Sequence, residues 1–373
     1  MNVQSRMIYL RDDQIVGIDR YTSVRPNKTL FIAPLLFDPQ INGYGGVDFQ
    51  QDNLSAQELH RAVCSLQRDA CGRFFFTLIT DDWDRMLERL AHVRCLRAAS
   101  PELARAIAGW HLEGPFLSPE PGYHGAHNPS LMLDPKPAHL RQLRRVAGND
   151  PVLLTIAPER KGAIAAIKLA VSLGFKVSLG HTNASLEILQ AAIHAGATGF
   201  THLANGCPRE LDRHDNILWR VCALPGLTVS MIPDGIHVSP IPFRLLHRLL
   251  EQHKVIYTTD AMAAAGAGPG RYRLGGTEVE VGMDQVVRQP GKTNFAGSAL
   301  RPVEGAFRAA QMTHRSWVDS WSQMSEKAAR FAGILPGNDH LKTRTFCLVE
   351  VPEYNVMTAL RVFVQGRELL GQQ

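Results

Sequence analysis

Hydrophobic and polar positions follow two alternating patterns along the chain. Short runs rich in branched and aromatic residues, such as GRFFFTLIT and VLLTIAPE, alternate with longer segments such as NLSAQELHRAVCSLQRDA. A short apolar run predicts a buried strand, whereas apolar residues that recur about every three to four positions predict a helix with one buried face. The chain therefore predicts repeated strand and helix units, which is typical of a parallel sheet.

Eight strand-like runs occur between residues 29 and 262. They are TLFIAPLLFDPQ, GRFFFTLIT, AIAGWHLEG, VLLTIAPE, FKVSLGHT, GFTHLANG, LTVSMIPDG and VIYTTDAM. Eight strands separated by helices favour a closed (β/α)8 TIM barrel over an open doubly wound sheet. An open sheet would also be expected to carry a GxGxxG turn after its first strand, and INGYGGVDF does not have that spacing.

The two ends of the chain differ from the middle, because their residues alternate in strand fashion around short turns. We expect residues 1–34 and 340–373 to pair with each other in a small β-sandwich-like appendage. Residues 35–339 are then the catalytic barrel. The predicted fold class is α/β, with one (β/α)8 barrel and this appendage formed by both termini.

Composition and charge narrow the function classes. With 45% apolar and 20% charged residues, the chain has the profile of a globular enzyme. Its 40 Lys and Arg residues are scattered and its formal net charge is only +5, which argues against a nucleic-acid partner. No signal-peptide core or spanning apolar run is found, so we expect no membrane partner. The six cysteines form no CxxC pair and predict reduced thiols in the cytoplasm.

Polar residues interrupt the predicted strands where each strand ends. Glu113 ends the third run without a neighbouring Lys or Arg, and His181, His202, His237 and Asp260 hold similar positions in later runs. The carboxyl ends of barrel strands converge on one mouth, so these side chains should meet there. A buried unpaired carboxylate is costly, and a metal ion is one counter-charge that removes the cost.

One carboxylate and two imidazoles form a common ligand set for a divalent cation, with one position left for water. We predict one metal ion on Glu113, His181 and His202, with zinc as the first choice and iron, cobalt or manganese as alternatives. A single histidine near a strand end is more often a hydrogen-bonded structural residue, and His111 is interpreted in that way. Asp260 also has the position of a helix N-cap before AMAAAG, which is compatible with a chemical role.

Eight motifs resemble one known family. They are HLEGPFLSPE, GAHNP, TIAPE, SLGHTNAS, THLANG, PDGIHVSP, TTDAMAAAGAGPGRYRLGG and FAGSAL. Their order and spacing across about residues 34–310 resemble the N-acetylglucosamine-6-phosphate deacetylases of the amidohydrolase superfamily. The resemblance implies hydrolysis of the acetamide of an N-acetylated amino sugar 6-phosphate to acetate and the free amine.

The resemblance also implies roles for individual residues. The family's metal ligands match Glu113, His181 and His202, its catalytic aspartate matches Asp260, and His127 matches a histidine that contacts the substrate carbonyl. Sugar and phosphate contacts match a further set: Asn205, Gly206, Arg213, His237, Phe295, Ala296 and Gly297. In relatives the arginine reaches across a dimer interface, so the resemblance implies a homodimer.

The expected chemistry agrees with these roles. Asp260 would act as general base toward the attacking water and then as general acid toward the departing amine. A cation and His127 would stabilise the negative charge that develops on the carbonyl oxygen. Arg213 offers a planar fork to a phosphate, although Arg209 in the same charged loop is a competitor for that role.

Two departures from the family pattern are visible. Many amidohydrolases have HxH after the first strand to hold a second metal, whereas Gln40 and Asn42 occupy the corresponding positions here. We therefore expect one tightly held metal, with Gln40 near it or in contact through a water. The loop before GAHNP carries Gly122, Tyr123 and His124 as an insertion, which leaves the phosphate preference open.

Two alternatives to the sugar-phosphate deacetylase stay open. One is another mononuclear amidohydrolase that acts on an unphosphorylated acetamido sugar or an N-acyl amino acid. The other is a binding or regulatory protein on a barrel that has lost its activity. Against the last stands the set of costly polar residues that are expected to converge at the barrel mouth.

Overall fold

The computed structural model describes residues 6–11, 14–20, 30–250, 254–291, 295–335, 340–352 and 354–369. Its strands, in chain order, are β1 (Arg6–Arg11), β2 (Gln14–Arg20), β3 (Leu30–Ala33), β4 (Leu36–Ile41), β5 (Gly43–Tyr44), β6 (Val47–Asp48), β7 (Cys71–Ile79), β8 (Ile107–Glu113), β9 (Val152–Ile156), β10 (Lys176–Leu179), β11 (Gly199–Phe200), β12 (Thr228–Met231), β13 (Val255–Tyr257), β14 (Gly270–Leu274), β15 (Thr277–Val281), β16 (Val287–Arg288), β17 (Phe346–Glu350), β18 (Ala359–Val364) and β19 (Arg367–Leu369).

Eight of these strands form one parallel sheet, in the order β4, β7, β8, β9, β10, β11, β12 and β13. A parallel bridge between Ile41 and Ala261 joins the two edges, and the Asn42 amide donates to the Ala261 carbonyl at 2.7 Å. The predicted (β/α)8 barrel is thus confirmed, and each of the eight predicted runs supplies one barrel strand. The first run also contains β3, which belongs to the second sheet. In strand β7, residues Phe74 to Leu78 are all buried, because a barrel strand is covered on both faces. A continuous apolar run therefore predicts such a strand.

The helices surround the barrel. They are α1 (Ala56–Arg68), α2 (Trp83–Ala99), α3 (Pro101–Ala106), α4 (Pro137–Ala147), α5 (Ala163–Ser172), α6 (Leu186–His194), α7 (Ile217–Ala223), α8 (Pro240–Leu249), α9 (Pro302–Thr313), α10 (Trp317–Gln323) and α11 (Glu326–Phe331). Helix α1 begins with a capping box, because Ser55 and Glu58 exchange side-chain and backbone hydrogen bonds. It then buries Leu59, Val63 and Leu66 on one face, as helical spacing requires.

Both termini contribute to a second sheet, as predicted. Its six antiparallel strands have the order β1, β2, β19, β18, β17 and β3. Along β17 the side chains alternate: Phe346 and Leu348 pack in a small separate cluster, whereas Cys347 and Val349 belong to the main core. The domain limits 1–34 plus 340–373 and 35–339 stay a prediction. Within them, residues 1–5, 12–13, 21–29, 251–253, 292–294, 336–339, 353 and 370–373 lie outside the described residues.

A three-stranded antiparallel sheet, β14 to β16, lies between the last barrel strand and α9. The sequence analysis predicted no strands in this segment. It matters for the site because Leu274, at the end of β14, reaches the wall of the cavity described next. Among the residues that the structure describes, no helix combines the length and the apolar character needed to span a membrane.

Candidate active site

A cavity of about 640 Å³ opens at the carboxyl ends of the barrel strands. Glu113, His127, His181, His202 and Asp260 all line it, and these five residues are called the floor below. The sequence analysis predicted that four of them, all except His127, would meet at the barrel mouth from strand order alone, and the structure brings them together. The loops 122–126 and 204–211 also line the cavity and are called the rim.

Glu113 is the centre of the floor. Its side chain is almost fully buried, and its Oε1 lies 2.6 Å from His202 Nε2 and 3.5 Å from His181 Nε2. Its Oε2 lies 3.7 Å from His127 Nε2. Burial by itself raises the pKa of this carboxyl, but His202, His181 and His127 outweigh it and hold the pKa well below its usual value. Glu113 is therefore an anion enclosed by imidazoles.

His181 turns a lone pair toward that anion. Its Nδ1 lies 2.8 Å from the Tyr123 carbonyl oxygen, which can only accept a hydrogen bond. The proton of the neutral ring is therefore assigned to Nδ1, and Nε2 presents its lone pair to Glu113 Oε1. A cation between two electron-rich atoms that face each other in a buried site would stabilise both of them.

His127 has the opposite tautomer. The Thr80 amide donates to His127 Nδ1 at 3.4 Å, and the Thr80 hydroxyl lies 2.9 Å from the same nitrogen. The ring proton is therefore assigned to Nε2, which makes this atom a donor toward the cavity. Burial, followed by the neighbouring His181, lowers the pKa of His127 to about 3, so the ring stays neutral near pH 7.

His202 completes the group. Its backbone amide donates to Ser230 Oγ at 2.8 Å, which ties the residue to the neighbouring strand. Its Nδ1 is buried and has no hydrogen-bond partner within the described ranges. Burial lowers the pKa of His202, but the adjacent Glu113 outweighs burial and raises it overall.

The donor set fits a divalent cation. One ligand atom each from Glu113, His127 and His181 lies within 4.8 Å of the others. This group contains His127 where the predicted set of metal ligands has His202. The tautomers argue for His181 as a ligand and for His127 as a donor, because an N–H cannot bind a metal. The predicted set of Glu113, His181 and His202 stays a prediction.

Three floor residues hold strained backbone conformations. His181, His202 and Asp260 have φ angles of 49°, 31° and 51°, shortly after the ends of β10, β11 and β13. Residues with side chains rarely adopt this left-handed region, and such strain clusters at functional sites. Rim glycines make room for the result, because a Cβ at Gly125 or Gly206 would lie 2.9 or 2.7 Å from the His181 ring.

Asp260 is held by two amides. Gln40 Nε2 and Asn42 Nδ2 both donate to Asp260 Oδ1, at 2.9 and 2.6 Å. Burial and the negative charge of Glu113 raise the pKa of Asp260 to about 7. Gln40 and Asn42, which occupy the positions of the HxH histidines of other amidohydrolases, thus orient Asp260. The predicted weak or water-mediated metal contact of Gln40 stays a prediction, since Gln40 does not line the cavity among the described residues.

Asp38 binds the two threonines that precede Asp260. Its carboxylate accepts from the Thr258 hydroxyl at 2.6 Å and from the Thr259 amide and hydroxyl at 2.9 and 2.7 Å. Burial raises the pKa of this carboxyl, while these hydrogen bonds oppose the shift. Asp38 therefore joins the first barrel strand to the residues that precede Asp260.

Most of the predicted substrate contacts line the cavity. These are Asn205, Gly206, His237, Phe295 and Gly297. His237 Nδ1 lies 2.6 Å from Asp234 Oδ2, and its ring centre lies 4.9 Å from that of Phe295. Two predicted contacts are not brought to the cavity: Ala296 is buried beside it, and Arg213 is exposed and is not among the described residues that line it.

No family model matches the chain. The N-acetylglucosamine-6-phosphate deacetylase of Bacillus subtilis (strain 168) is 30% identical over 306 residues, which cover 81% of this chain and 76% of the relative. The chain belongs to the N-acetylglucosamine-6-phosphate deacetylase family. This membership confirms the predicted family and the amidohydrolase superfamily, and it makes the chain a hydrolase.

Two further comparisons agree with this assignment. The N-acetylgalactosamine-6-phosphate deacetylase of Escherichia coli O157:H7 is 29% identical over 336 residues, which cover 89% of this chain and 86% of the relative. A solved structure of an N-acetyl-D-glucosamine-6-phosphate deacetylase variant from Mycobacterium smegmatis, in complex with N-acetyl-D-glucosamine-6-phosphate, has a TM-score of 0.81 at 29% identity. It covers 98% of this chain and 94% of that one. Relatives named for both hexosamine isomers are therefore similar to this deacetylase-family chain.

Sequence reasoning missed several residues that shape the site of this family member. Asp38, Thr80 and Tyr123 set the orientation of floor residues, and none was singled out for that role. For Asp38 a signal existed, because it is a carboxylate inside an apolar strand run, which is the same signal that identified Glu113. Tyr123 acts through its backbone carbonyl, so its residue type carried no signal.

Proposed function

We propose that the chain hydrolyses the acetamide of N-acetylglucosamine 6-phosphate, or of a close N-acetylhexosamine phosphate, to the amino sugar phosphate and acetate. The observation that carries the proposal is the convergence of Glu113, His181 and His202 with Asp260 at one barrel mouth in a member of this deacetylase family. These residue types are the ones that amide hydrolysis needs.

Glu113, His181 and His202 would hold one divalent cation, and we propose zinc because imidazole and carboxylate ligands suit it. When bound, such a cation lowers the pKa of a coordinated water and polarises the acetyl carbonyl. The imidazole lone pair of His181 that faces Glu113 supports this assignment, because a cation satisfies both groups.

Asp260 would move the proton. Its carboxylate would accept a proton from the attacking water and later donate it to the departing sugar nitrogen. Gln40 and Asn42 both donate to Oδ1, and this fixes the side chain toward the cavity rather than leaving it free to rotate. Two amide donors on one oxygen support a role for Asp260 that depends on orientation.

His127 would stabilise the carbonyl oxygen. Its Nε2 proton is assigned from the Thr80 amide that donates to Nδ1, so the ring offers a donor where negative charge develops. The neutral state of His127 supports this use, since a neutral donor does not repel the cation. Asn205, Gly206, His237 and the backbone at Phe295 and Gly297 would contact the sugar.

A homodimer and a cytoplasmic location are part of the proposal. Helix α8 exposes Ile241, Leu245 and Leu249, which recur every four residues on one face and would suit a subunit contact. All six cysteines lie among the described residues and are free thiols, which suits a reducing compartment. Sedimentation analysis tests the oligomeric state directly.

The deciding experiment measures acetate release from N-acetylglucosamine 6-phosphate, N-acetylgalactosamine 6-phosphate, both unphosphorylated sugars and an N-acyl amino acid. We expect turnover of a phosphorylated sugar by zinc-loaded protein and about 10²- to 10⁴-fold slower turnover by the Asp260→Asn variant. Turnover of only the N-acyl amino acid or only an unphosphorylated sugar would instead identify the chain as a different mononuclear amidohydrolase. The absence of any turnover by metal-loaded protein would reject the proposal.

A further inference from the structure

His181 holds a strained backbone conformation that its neighbours must maintain. Its φ angle of 49° lies in the left-handed region, two residues after the end of β10. Such a conformation persists only where surrounding contacts hold it. The ring orientation in the site, with Nε2 toward Glu113 and Nδ1 toward the Tyr123 carbonyl, therefore depends on the contacts made around His181.

One carboxylate binds the two residues that follow His181. Glu159 Oε2 accepts from the Thr182 hydroxyl at 2.5 Å, and its Oε1 accepts from the Asn183 amide at 3.0 Å. The Thr182 hydroxyl oxygen in turn accepts from the Ala184 amide at 3.0 Å. Hydrogen bonds to an ionised acceptor are stronger than neutral ones, so this carboxylate fixes the segment firmly.

Strand pairing places Glu159 beside this segment. Ile156 and Leu179 end β9 and β10 and are paired in the parallel sheet. Glu159 and Thr182 each lie three positions beyond those ends, so the loop after one strand supports the loop after the next. Glu159 is half-buried and does not line the cavity among the described residues. Any effect of Glu159 on the site therefore passes through His181.

The other contacts on His181 involve backbone groups. The Ser118 amide donates to the His181 carbonyl at 3.0 Å, and the Tyr123 carbonyl lies 2.8 Å from His181 Nδ1. Side-chain substitution leaves both of these groups in the chain. Glu159 acts through its side chain, so its contribution can be removed and measured. The sequence analysis quoted its motif, TIAPE, without assigning it a role.

We propose that Glu159 is a positioning residue, which holds His181 Nε2 toward Glu113 through Thr182 and Asn183 and thereby sets the affinity and geometry of the cation site. This inference rests on the proposed function for the use of His181 as a metal ligand. Without the carboxylate, the segment after His181 can relax from its left-handed conformation. The ring would then move away from Glu113 Oε1, which lies 3.5 Å from Nε2.

The test measures metal binding without substrate. Competition with a chromophoric chelator gives the zinc affinity, and the visible absorption spectrum of the cobalt-loaded protein reports the ligand geometry. We expect Glu159→Ala to lower the affinity about 10- to 100-fold, as the loss of an outer partner of a metal ligand does, and to alter the cobalt spectrum at saturating metal. Glu159→Gln keeps an acceptor for the Asn183 amide and should lower the affinity only about threefold.

A pair of threonine variants tests the same contact from the other side. Thr182→Val has nearly the same shape but no hydroxyl, so the affinity should fall about 3- to 10-fold. Thr182→Ser keeps the hydroxyl and should retain the parent affinity and spectrum. This pair decides the question even if Glu159→Ala does not fold. Equal behaviour of the valine and serine variants would contradict the role of the hydroxyl bond.

Glu58→Ala is the matched control. Glu58 accepts from the hydroxyl and the amide of Ser55, at 2.6 and 2.9 Å, so the variant loses the same two kinds of hydrogen bond. It lies on α1 and does not line the cavity in the described part of the chain. Its zinc affinity and cobalt spectrum should equal those of the parent, whatever the change in melting temperature.

Parent-like zinc affinity and cobalt spectrum in Glu159→Ala would overturn the inference. Equal losses in Glu159→Ala and Glu58→Ala would also overturn it, because the effect would then be one of general stability. A parent protein that binds neither metal would do the same.

The metal measurements separate this inference from the proposed reaction. If no sugar is deacetylated while metal binding depends on Glu159, the reaction fails and the positioning role stands. If turnover proceeds while metal binding is indifferent to Glu159 and Thr182, the reaction stands and the positioning role fails.

Discussion

The floor and the rim of the cavity are built differently. On the floor, Glu113 and His202 are each 2% exposed, and their charges and hydrogen bonds are directed at each other. On the rim, Arg209 is exposed and has no partner among the described residues. The floor side chains are fixed by contacts with one another, whereas the Arg209 side chain on the rim has no such contact among the described residues. Changes to the floor should therefore affect every substrate, and changes to the rim should affect only the choice between substrates.

The largest expected effect comes from Asp260→Asn. Loss of the proton acceptor should lower kcat by about 10²- to 10⁴-fold for phosphorylated and unphosphorylated sugars alike. Steady-state acetate release on both sugars measures this. Because asparagine has nearly the same shape, the melting temperature should stay close to that of the parent. A loss confined to one sugar would contradict the assignment of Asp260 to the floor chemistry.

Glu113→Gln should abolish tight metal binding. The amide removes the anionic ligand at the centre of the imidazole group, so the metal content after dialysis should fall from about one equivalent to a trace. Elemental analysis of the purified protein provides the measurement. Glu88→Gln, an exposed position on α2, is the control and should keep its metal. Full metal occupancy in Glu113→Gln would remove the basis of the proposed mechanism.

Asn42→Ala should produce an intermediate effect. Its amide donates to Asp260 Oδ1 at 2.6 Å, so its removal should lower kcat about tenfold through misorientation of the carboxylate while KM changes little. Gln50→Ala serves as a comparison, because Gln50 also bonds to the Asn42 region but reaches only backbone carbonyls and the Ile79 amide. Unchanged kcat in Asn42→Ala would show that the floor does not need this donor.

The smallest expected effect concerns Asp48, which connects β6 to the wall of the cavity by accepting from the Gly275 amide at 2.9 Å. Burial raises the pKa of Asp48 from 3.8 to about 6. The folded state thus favours the protonated acid, and the stabilisation that is present below about pH 4 is lost as the pH rises through about 6. Two pKa units correspond to at most about 3 kcal/mol, and partial exposure reduces the expected loss to about 1 kcal/mol.

Denaturant unfolding between about pH 4 and pH 7 measures that loss, and Asp48→Asn should remove it. Asp284, an exposed aspartate between β15 and β16, provides a control of opposite sign. The hydrogen bond from Arg288 lowers the pKa of Asp284, so its contribution is present at neutral pH and is lost in acid. A parent protein and Asp48→Asn variant with parallel pH curves would contradict the prediction.

The barrel was predictable because its signal is local. A strand that is covered on both faces must be apolar throughout, and GRFFFTLIT carries that pattern within one short segment. Glu113 stood out because an unpaired carboxylate conflicts with such a pattern. The three-stranded insertion β14 to β16 was missed although its RYRL and TEVEV segments alternate polar and apolar residues. RYRL was interpreted only as part of a longer motif, and TEVEV was not interpreted.

The supporting contacts of the floor were not predictable in the same way. Asp38 and Thr258 are 220 positions apart, and Gln40 is equally distant from Asp260. No local pattern encodes a hydrogen bond across that separation. The tautomer of His181 depends on the Tyr123 carbonyl, and a backbone group is the same in every residue type.

The sequence by itself determined the strand and helix order, the barrel and the residues that had to meet at its mouth. These follow from burial periodicity and from the cost of a charge in an apolar run, both of which are properties of short segments. Only the tertiary structure decided which nitrogen of each histidine faces Glu113, which amides orient Asp260, and that Arg209 rather than Arg213 lines the cavity. Those outcomes depend on distances between segments that are remote in the chain, and such distances exist only once the barrel has closed.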